Sequence, residues 1–279
     1  MSREAPVTNR QIVATQNKAA QWLSRALGPL TTGRRSDGLR VLLYHSVGTG
    51  LPGPAAGLSV PAERFQEQMR WLQRESGCEV VSLEDGAHRM AAGSRASLVA
   101  VTFDDGFRDN LLVAAPTLSS LRIPFTVFVT AEHVERAEMG EARYLGVKEL
   151  QNLARVDGGS VGAHGYTHRP LTRLMNDELE HEMLGAKRYL ENIVGRPVTT
   201  ISYPHGAVND RVRRAALSSG FQFGATSFVG LNRRGTPPLM IRRTEILGDD
   251  GLQEFQLKIR GGYDWYGVKQ RLYWPIPSY

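Results

Sequence analysis

Two adjacent carboxylates stand where an apolar run ends, and they are the sharpest chemical signal in the sequence. Asp104 and Asp105 lie in the segment Thr-Phe-Asp-Asp-Gly at 102–106, directly after the apolar residues 98–101. Like charges a few ångströms apart raise each other's pKa, and a divalent cation removes that cost by binding one carboxylate. The other carboxylate can then act as a base. Taken alone, the pattern is also typical of a strand that ends in an Asp-Gly turn.

Two histidines four residues apart form a second candidate for metal binding. His164 and His168 bracket a Gly-Tyr-Thr segment that follows the strand-like residues 160–163. Pro170 disfavours a regular helix here, so we expect a loop that leaves a strand end. Two surface histidines at this spacing are common, but one carboxylate with two histidines is a catalytic zinc set with positions open for water and substrate. Such an ion would lower the pKa of bound water and polarise an amide carbonyl.

Two further polar segments follow predicted strands. Residues 202–206 read Ser-Tyr-Pro-His-Gly, and Tyr-His-Ser-Val at 44–47 closes the first predicted core strand. By themselves, the first is typical of a Pro/Gly turn and the second of a hydrogen-bonded structural histidine. In a barrel, however, side chains at the carboxyl ends of the strands converge on the active site. His45 is therefore a candidate site residue as well.

Strand-like and helical segments alternate from residue 39 onward. Several of the strand-like runs are continuously apolar or β-branched, as expected of strands buried on both faces. These runs are 39–44, 79–83, 98–103, 124–129, 160–163, 199–203, 221–225 and 240–246. Helical periodicity marks 109–121, 177–194 and the surroundings of Phe65, Met69 and Leu72. The alternation predicts an α/β fold, a parallel sheet closed into a distorted or incomplete (β/α) barrel of one domain.

Together, these segments resemble the polysaccharide deacetylase family, also described as the NodB-homology domain or carbohydrate esterase family 4. The resemblance runs from about Leu39 to Ile246. Thr-Phe-Asp-Asp-Gly is similar to the family's first motif, His-x-x-x-His to its second and Tyr-Pro-His-Gly to its third. The resemblance implies a barrel of the NodB-homology type and a metal-dependent hydrolase.

The resemblance also implies a role for each motif residue. Asp104 would be the general base toward the attacking water. The metal ligands would be Asp105, His164 and His168, and the metal Zn²⁺ or another divalent ion. The backbone N–H of His205 would help to stabilise the tetrahedral oxyanion.

The sequence departs from the common family pattern at two roles. Many members take the general acid from a histidine in a late motif, but no histidine follows His205 here. The chain resembles instead the poly-N-acetylglucosamine deacetylases, whose early Tyr-His-x-Val strand implies His45 as the acid that protonates the leaving amine. Ser202 stands where many relatives carry an arginine that orients the catalytic aspartate. Arg242 or Arg243 is the predicted substitute.

The implied activity is hydrolysis of a carbon–nitrogen bond in a linear amide. It would remove N-acetyl groups from amino sugars of a polysaccharide, an oligosaccharide or a lipid-linked glycan precursor. The alternatives are the same fold acting on a formamido sugar or an O-acetyl ester, and a catalytically inactive carbohydrate-binding barrel. A pair of strand-end acids could also indicate glycoside hydrolysis. That interpretation leaves the histidine pair unused, and adjacent residues of one strand are expected to point to opposite sides.

Positive charge is concentrated at the amino terminus. The 279-residue chain has a formal net charge of +6, and residues 1–40 hold seven Lys/Arg against two acidic residues. We predict a basic amphipathic helix over 8–30, in an arm over 1–38 ahead of a barrel over 39–279 that includes an aromatic tail. We favour packing of this helix on the outside of the domain; contact with an anionic membrane surface is the alternative.

Other signals limit the compartment and the partners. No window approaches about 18 uninterrupted apolar residues, and the amino terminus lacks the apolar core of a secretory signal. The single cysteine, Cys78, excludes an intrachain disulfide. We therefore expect a cytoplasmic protein, peripheral to a membrane if the helix over 8–30 binds one. An N-acetylated glycan or sugar precursor is the expected partner, and the absence of nucleic-acid motifs argues against nucleic acid.

Overall fold

The computed structural model describes residues 37–273. The helix predicted over 8–30 lies outside the described residues, as do the last aromatic residues, Trp274 and Tyr279. The strands are β1 Gly38–Tyr44, β2 Ser46–Val47, β3 Ser59–Val60, β4 Glu79–Val80, β5 Ser97–Phe103, β6 Phe125–Val129, β7 Gly159–Ala163, β8 Thr200–Ser202, β9 Phe223–Ala225 and β10 Arg243–Glu245.

One parallel sheet curls into a nearly closed barrel. In space its strands follow the order β10-β1-β5-β6-β7-β8-β9, and β4 pairs with β5 outside this path. A parallel bridge between Ala225 and Ile241 links β9 to the residues that lead into β10. The N–H of Ile241 also donates to the carbonyl of Gly224 over 2.8 Å. This arrangement confirms the predicted distorted or incomplete (β/α) barrel.

Side chains alternate along the strands between two apolar layers. On β5, Val99, Val101 and Phe103 pack in the layer that the helices cover, whereas Leu98 and Ala100 belong to a second cluster built mainly from strand residues inside the barrel. The two-residue period of a strand produces this separation. Full burial of each large apolar side chain stabilises the fold by about 1.5–3 kcal/mol.

Helices follow most strands and cover the sheet. They are α1 Ala62–Arg74, α2 Leu83–Ala91, α3 Ala115–Ser120, α4 Ala131–Glu138, α5 Val147–Arg155, α6 Asn176–Glu180, α7 Ala186–Val194, α8 Asp210–Ser218, α9 Leu252–Ile259 and α10 Asp264–Tyr273. Helix α2 differs from the others because its Leu83 and Met90 join the inner layer. Its approach is close: a Cβ on Gly86 would lie 2.7 Å from Cδ1 of Leu39, which explains the glycine. None of the helices in residues 37–273 is long and apolar enough to span a bilayer.

The predicted strand over 79–83 is wrong beyond its first two residues. The Ser82 side chain accepts a hydrogen bond from the N–H of Asp85 over 3.1 Å, and helix α2 begins at Leu83. A serine N-cap of this kind favours a helix over continued strand. The runs predicted over 199–203, 221–225 and 240–246 contain strands of only three residues each.

The predicted helices are present, but two of them contain wider turns. Residues 177–194 are helical throughout, with a π-helical turn at His181–Gly185 between α6 and α7. The helix predicted over 109–121 likewise begins with a π-helical turn, Asn110–Ala114, before α3. Such turns insert an extra residue and often occur at functional sites.

The carboxyl-terminal helices are tied to the first strand. Arg40 of β1 pairs with both carboxylate oxygens of Asp264 over 2.9 and 3.0 Å, and its Nε donates to the carbonyl of Ile259 over 2.9 Å. Tyr263, the first aromatic residue of the tail, is buried. The tail therefore packs against the barrel as far as these contacts reach.

Parallel pairing brings the motif residues to one edge of the barrel. Tyr44 pairs with Phe103 at the ends of β1 and β5, and Ala163 pairs with Ile201 near the ends of β7 and β8. The residues that follow these strands include His45, the Asp104–Asp105 pair, the loop 164–168 and the turn 204–206. They therefore all lie at the carboxyl edge, where barrels place active sites.

Candidate active site

Asp104 is buried and held by Arg243. Nη1 of Arg243 donates to Oδ1 of Asp104 and Nη2 to Oδ2, both over 2.7 Å. The Ser202 hydroxyl donates to Oδ2 over 3.0 Å and lies 2.7 Å from Nη2 of Arg243. Bidentate pairing of this kind fixes both the position and the orientation of the carboxylate. Of the two arginines predicted to orient Asp104, it is Arg243 that contacts its carboxylate.

The guanidinium of Arg243 is itself held by contacts with Thr226 and Phe128. Its Nε donates to the carbonyl of Thr226 over 2.9 Å, and its Cζ lies over the ring of Phe128, 5.5 Å from the ring centroid. Burial alone would raise the pKa of Asp104, but the charges of Arg243 and His164 outweigh it and lower the pKa below its ordinary value. Asp104 is therefore an ionised carboxylate at neutral pH, although it is only 3% exposed.

Asp105, His164 and His168 form a compact set of metal-binding atoms. One ligand atom from each lies within 4.8 Å of the others. Oδ1 of Asp105 is 3.5 Å from Nε2 of His164 and 3.1 Å from Nε2 of His168. Nδ1 of His164 donates to the carbonyl of Ser202 over 2.9 Å, so the other ring nitrogen faces the aspartates.

This set fits a divalent ion. Oδ1 of Asp105 is buried and has no hydrogen-bond partner within residues 37–273, although two imidazole nitrogens lie beside it. Burial alone would raise the pKa of Asp105, but His164 and His168 hold it well below the ordinary value. One ionised carboxylate and two imidazoles match the ligands of catalytic zinc sites, which leave coordination positions open.

Two residues of the metal-binding set, Asp105 and His168, have a left-handed backbone conformation. Asp105 has φ 74° and His168 has φ 61°, a region that few residues other than glycine adopt. Because Asp105 leaves the strand conformation, its carboxylate lies on the same side as that of Asp104, and His164 Nε2 is 3.8 Å from Asp104. The expectation that adjacent acids point to opposite sides is therefore wrong here. The histidine pair, which contacts Asp105, is what argues against glycoside hydrolysis.

His45 lies beside both aspartates. Its side chain is buried, and Nδ1 has no hydrogen-bond partner in the described part of the chain. A proton on His45 contributes to lowering the pKa of Asp104 and of Asp105, after the larger effects of burial and of their closer partners. Asn110 fixes the backbone here by donating from Nδ2 to the carbonyl of His45 over 2.8 Å.

His205 lies at the exposed rim of the site. Its ring is 4.6 Å from that of His168, and its Nε2 is 3.2 Å from the carbonyl of His168. The residue has φ 59° in the tight turn Pro204–Gly206. The structure thus brings all six predicted site residues to one edge of the barrel; the three predicted metal ligands contact one another directly.

Sequence reasoning missed His133 and Glu182. Burial lowers the pKa of His133 to about 4, and the neutral ring donates from Nδ1 to the carbonyl of Asp105 over 2.9 Å. The ring stacks on Tyr144 with centroids 3.9 Å apart. His133 lies in the first turn of α4, just after β6, so its nearness to a strand end was the one available signal. Glu182, inside a predicted helix, gave no signal that it reaches the loop 164–168.

Comparisons with known proteins agree with the resemblance that the motifs indicate. The family model for polysaccharide deacetylases matches residues 92–224. The Bacillus subtilis protein YxkH, whose name describes it as a polysaccharide deacetylase, is 27% identical over 210 residues, which cover 75% of this chain and 71% of that protein. A Staphylococcus aureus poly-beta-1,6-N-acetyl-D-glucosamine N-deacetylase is 22% identical over 175 residues, covering 58% of this chain and 60% of its own length.

A solved structure agrees as well. The Streptococcus pyogenes deacetylase PplD, determined in complex with acetate, superposes with a TM-score of 0.71 at 25% identity and covers 80% of this chain and 99% of its own. The chain is therefore similar, in a family model, in sequence and in fold, to polysaccharide deacetylases, which are hydrolases that act on amide bonds. The resemblance to poly-N-acetylglucosamine deacetylases is confirmed at the level of homology.

Proposed function

We propose that this protein is a metal-dependent deacetylase that removes N-acetyl groups from amino sugars of a polysaccharide, an oligosaccharide or a lipid-linked glycan precursor. One observation carries the proposal: an ionised carboxylate fixed by Arg243 lies beside the Asp105, His164 and His168 set at the carboxyl edge of the barrel. A base next to a metal site is one arrangement by which enzymes hydrolyse unactivated amides.

Asp105, His164 and His168 would hold the ion, for which Zn²⁺ is the first choice. When bound, the ion polarises the acetamide carbonyl and makes a water molecule more acidic. The chain's own contribution is orientation. The hydrogen bond from Nδ1 of His164 to Ser202 keeps Nε2 turned toward the ion, a typical support for a metal-binding histidine.

Asp104 would act as the general base. Its lowered pKa keeps it ionised at neutral pH, so it can take a proton from the attacking water. Arg243 and Ser202 occupy its inner side, and this leaves the approach from the metal side for the proton transfer. Since the guanidinium cannot rotate away, the carboxylate needs no reorganisation before it reacts.

His45 would act as the general acid. A proton must reach the leaving amine, and His45 is a buried imidazole outside the metal set that follows Tyr44, the residue paired with Phe103 just before the two aspartates. Its Nδ1 is buried and has no hydrogen-bond partner in the described residues, so the structure gives this ring nitrogen no fixed partner. The backbone N–H of His205, in the left-handed turn at the rim, would donate to the oxyanion that develops on the acetyl carbonyl.

Acetate release from N-acetylglucosamine oligomers, with and without a chelator, tests the proposal. We expect release that stops when the chelator is added and returns when Zn²⁺ is restored. Stoichiometric metal without acetate release would keep the metal site but redirect the substrate to another acylated sugar or a lipid-linked precursor. A folded protein that binds no divalent ion would contradict the assignment and favour an inactive carbohydrate-binding barrel.

A further inference from the structure

The loop that carries both metal-binding histidines is anchored from one side by the start of helix α4. The hydroxyl of Thr130 donates to the carbonyl of His164 over 3.3 Å. The N–H of Ala131 donates to the carbonyl of Gly165 over 3.3 Å, and the N–H of Glu132 to that of Tyr166 over 2.8 Å. These contacts satisfy the carbonyls of His164, Gly165 and Tyr166.

The loop is anchored from the other side by the carboxylate of Glu182. Oε2 accepts from the N–H of Tyr166 over 2.8 Å and from the N–H of Thr167 over 3.0 Å, and Oε1 accepts a short hydrogen bond from the Thr167 hydroxyl. Glu182 is 2% exposed and forms no ion pair with any cationic side chain in residues 37–273. A buried carboxylate of this kind is tolerated because these donors satisfy its oxygens.

The position of Glu182 depends on the wide turn in its helix and on the glycine in the loop. The residue lies in the π-helical turn His181–Gly185, between α6 and α7. Gly165 has φ +72°, and a Cβ there would lie 2.9 Å from Oε2 of Glu182 and 3.2 Å from Cγ of Pro204. Any larger residue at 165 would therefore displace the carboxylate. Gly165 and Glu182 fit only as a pair.

We propose that Glu182 is a positioning residue that sets the spacing of the two metal-binding imidazoles by fixing the backbone between them. The inference rests on the proposed function, since it concerns the divalent ion of the same site. His168 must be held at φ 61°, a conformation that a free loop would leave. The carboxylate of Glu182 holds the two residues that precede His168, so the backbone conformation of His168 is set before the metal binds. Loss of outer partners of metal ligands typically weakens metal affinity about 10–100-fold.

The test is the Zn²⁺ affinity of metal-free protein, measured by competition with a chromogenic chelator, for Glu182→Gln and wild type. Gln keeps the shape but places an amide donor against backbone N–H donors. We expect Zn²⁺ binding about 10–100-fold weaker, with an unchanged far-ultraviolet circular dichroism spectrum. The matched control is Glu180→Gln, two residues away and exposed on the same helix, whose Zn²⁺ affinity should equal that of wild type.

Thr167→Val provides a second variant in case Glu182→Gln does not fold. It removes one donor to Glu182 without changing shape, so its loss of Zn²⁺ affinity should be smaller. The double variant should lose less than the product of the two single effects, because both act on one contact. Unchanged Zn²⁺ affinity in Glu182→Gln or in a folded Thr167→Val, or an equal loss in Glu180→Gln, would overturn the proposal. A lower Tm alone, with normal Zn²⁺ binding, would also overturn it.

The outcomes separate this inference from the proposed function. A wild-type protein that binds Zn²⁺ but releases no acetate contradicts the deacetylase activity while Glu182 keeps its role. Acetate release that is intact in wild type, together with normal Zn²⁺ affinity in Glu182→Gln, contradicts only the role of Glu182. A wild-type protein that binds no divalent ion contradicts both.

Discussion

The two adjacent aspartates occupy opposite kinds of environment. The carboxylate of Asp104 accepts three hydrogen bonds, two from the guanidinium of Arg243 and one from the Ser202 hydroxyl, and its N–H donates to the carbonyl of Tyr44. Asp105, one residue later, turns into the left-handed region and presents a buried oxygen without a hydrogen-bond partner in the described residues. The carboxylate of Asp104 already has its hydrogen-bond partners. Oδ1 of Asp105 has none in the described residues, and the imidazoles of His164 and His168 lie beside it.

Under the proposed function, this difference would let one dipeptide serve two chemical tasks. A general base must stay ionised and oriented, and the contacts of Asp104 fix its protonation and direction. A metal ligand must remain free for the ion, and Asp105 is supported through its backbone instead, since His133 donates to its carbonyl. The side chain of one aspartate is occupied by protein, and the side chain of the other is left available.

A large effect on turnover is expected from His45→Gln. Loss of a general acid should lower the rate of acetate release by about 10²–10⁴-fold. Metal content should remain stoichiometric, because His45 is outside the set of metal ligands. His88→Gln, at an exposed histidine of helix α2, is the matched control and should release acetate at the wild-type rate. Normal turnover in His45→Gln would remove His45 from the mechanism.

Arg243→Met tests the base side of the comparison. Removal of one partner of a buried ion pair costs about 3–5 kcal/mol of unfolding free energy, measurable by urea denaturation. Burial would then raise the pKa of Asp104 unopposed by the guanidinium, so turnover should fall as well. Arg242→Met is the control: its partly buried side chain lies beside Gly230, and it should change both quantities much less. Equal effects in the two variants would contradict the role of Arg243.

Metal removal tests the other side. An ion that binds only the folded protein stabilises it by about 2.7 kcal/mol at a free concentration 100 times its Kd. Addition of Zn²⁺ should therefore raise the Tm of metal-free wild type, and a chelator should reverse the rise. His164→Ala should show no such shift, while His88→Ala should show the full shift. A metal-dependent Tm that survives in His164→Ala would place the ion elsewhere.

The smallest effect is expected from Ser202→Ala. The hydroxyl is one of three donors to Asp104, and a hydrogen bond to a charged group contributes about 1.5–3 kcal/mol. Because both hydrogen bonds from Arg243 to the carboxylate remain, we expect the unfolding free energy to fall by the lower end of this range. Turnover should fall moderately. Ser160→Ala, which removes hydrogen bonds to Thr126 and Phe125 at β6, should affect stability without affecting turnover. If Ser202→Ala released acetate at the wild-type rate, the Ser202 hydroxyl would have no part in orienting Asp104, and Arg243 alone would have that role.

Local patterns predicted the barrel and the gathering of the motif residues well. Strands β1, β5 and β6 are largely apolar runs, and each motif follows a strand directly, so parallel pairing brings the motifs to one edge. The strand predicted over 79–83 failed because a serine cap, not hydrophobic periodicity, determines where helix α2 begins. The catalytic and metal-binding roles themselves stay predictions until they are measured.

What the sequence could not reveal depends on distance and on backbone geometry. Arg243 reaches Asp104 across 139 residues, and no local pattern distinguishes it from Arg242. The left-handed conformations of Asp105 and His168 follow from tertiary contacts, as does the reach of Glu182 through a π-helical turn. These features support the motif residues from behind, and their positions are set by packing between distant segments.

The most direct test of the account compares Asp104→Asn with Asp105→Ala in the same assays of metal content and acetate release. We predict that Asp104→Asn binds stoichiometric Zn²⁺ and releases acetate about 10²–10⁴-fold more slowly. Asp105→Ala should lack both the ion and the activity, with each variant folded by circular dichroism. Loss of the ion in Asp104→Asn, or retention of the ion and activity in Asp105→Ala, would contradict the division of labour between the two aspartates.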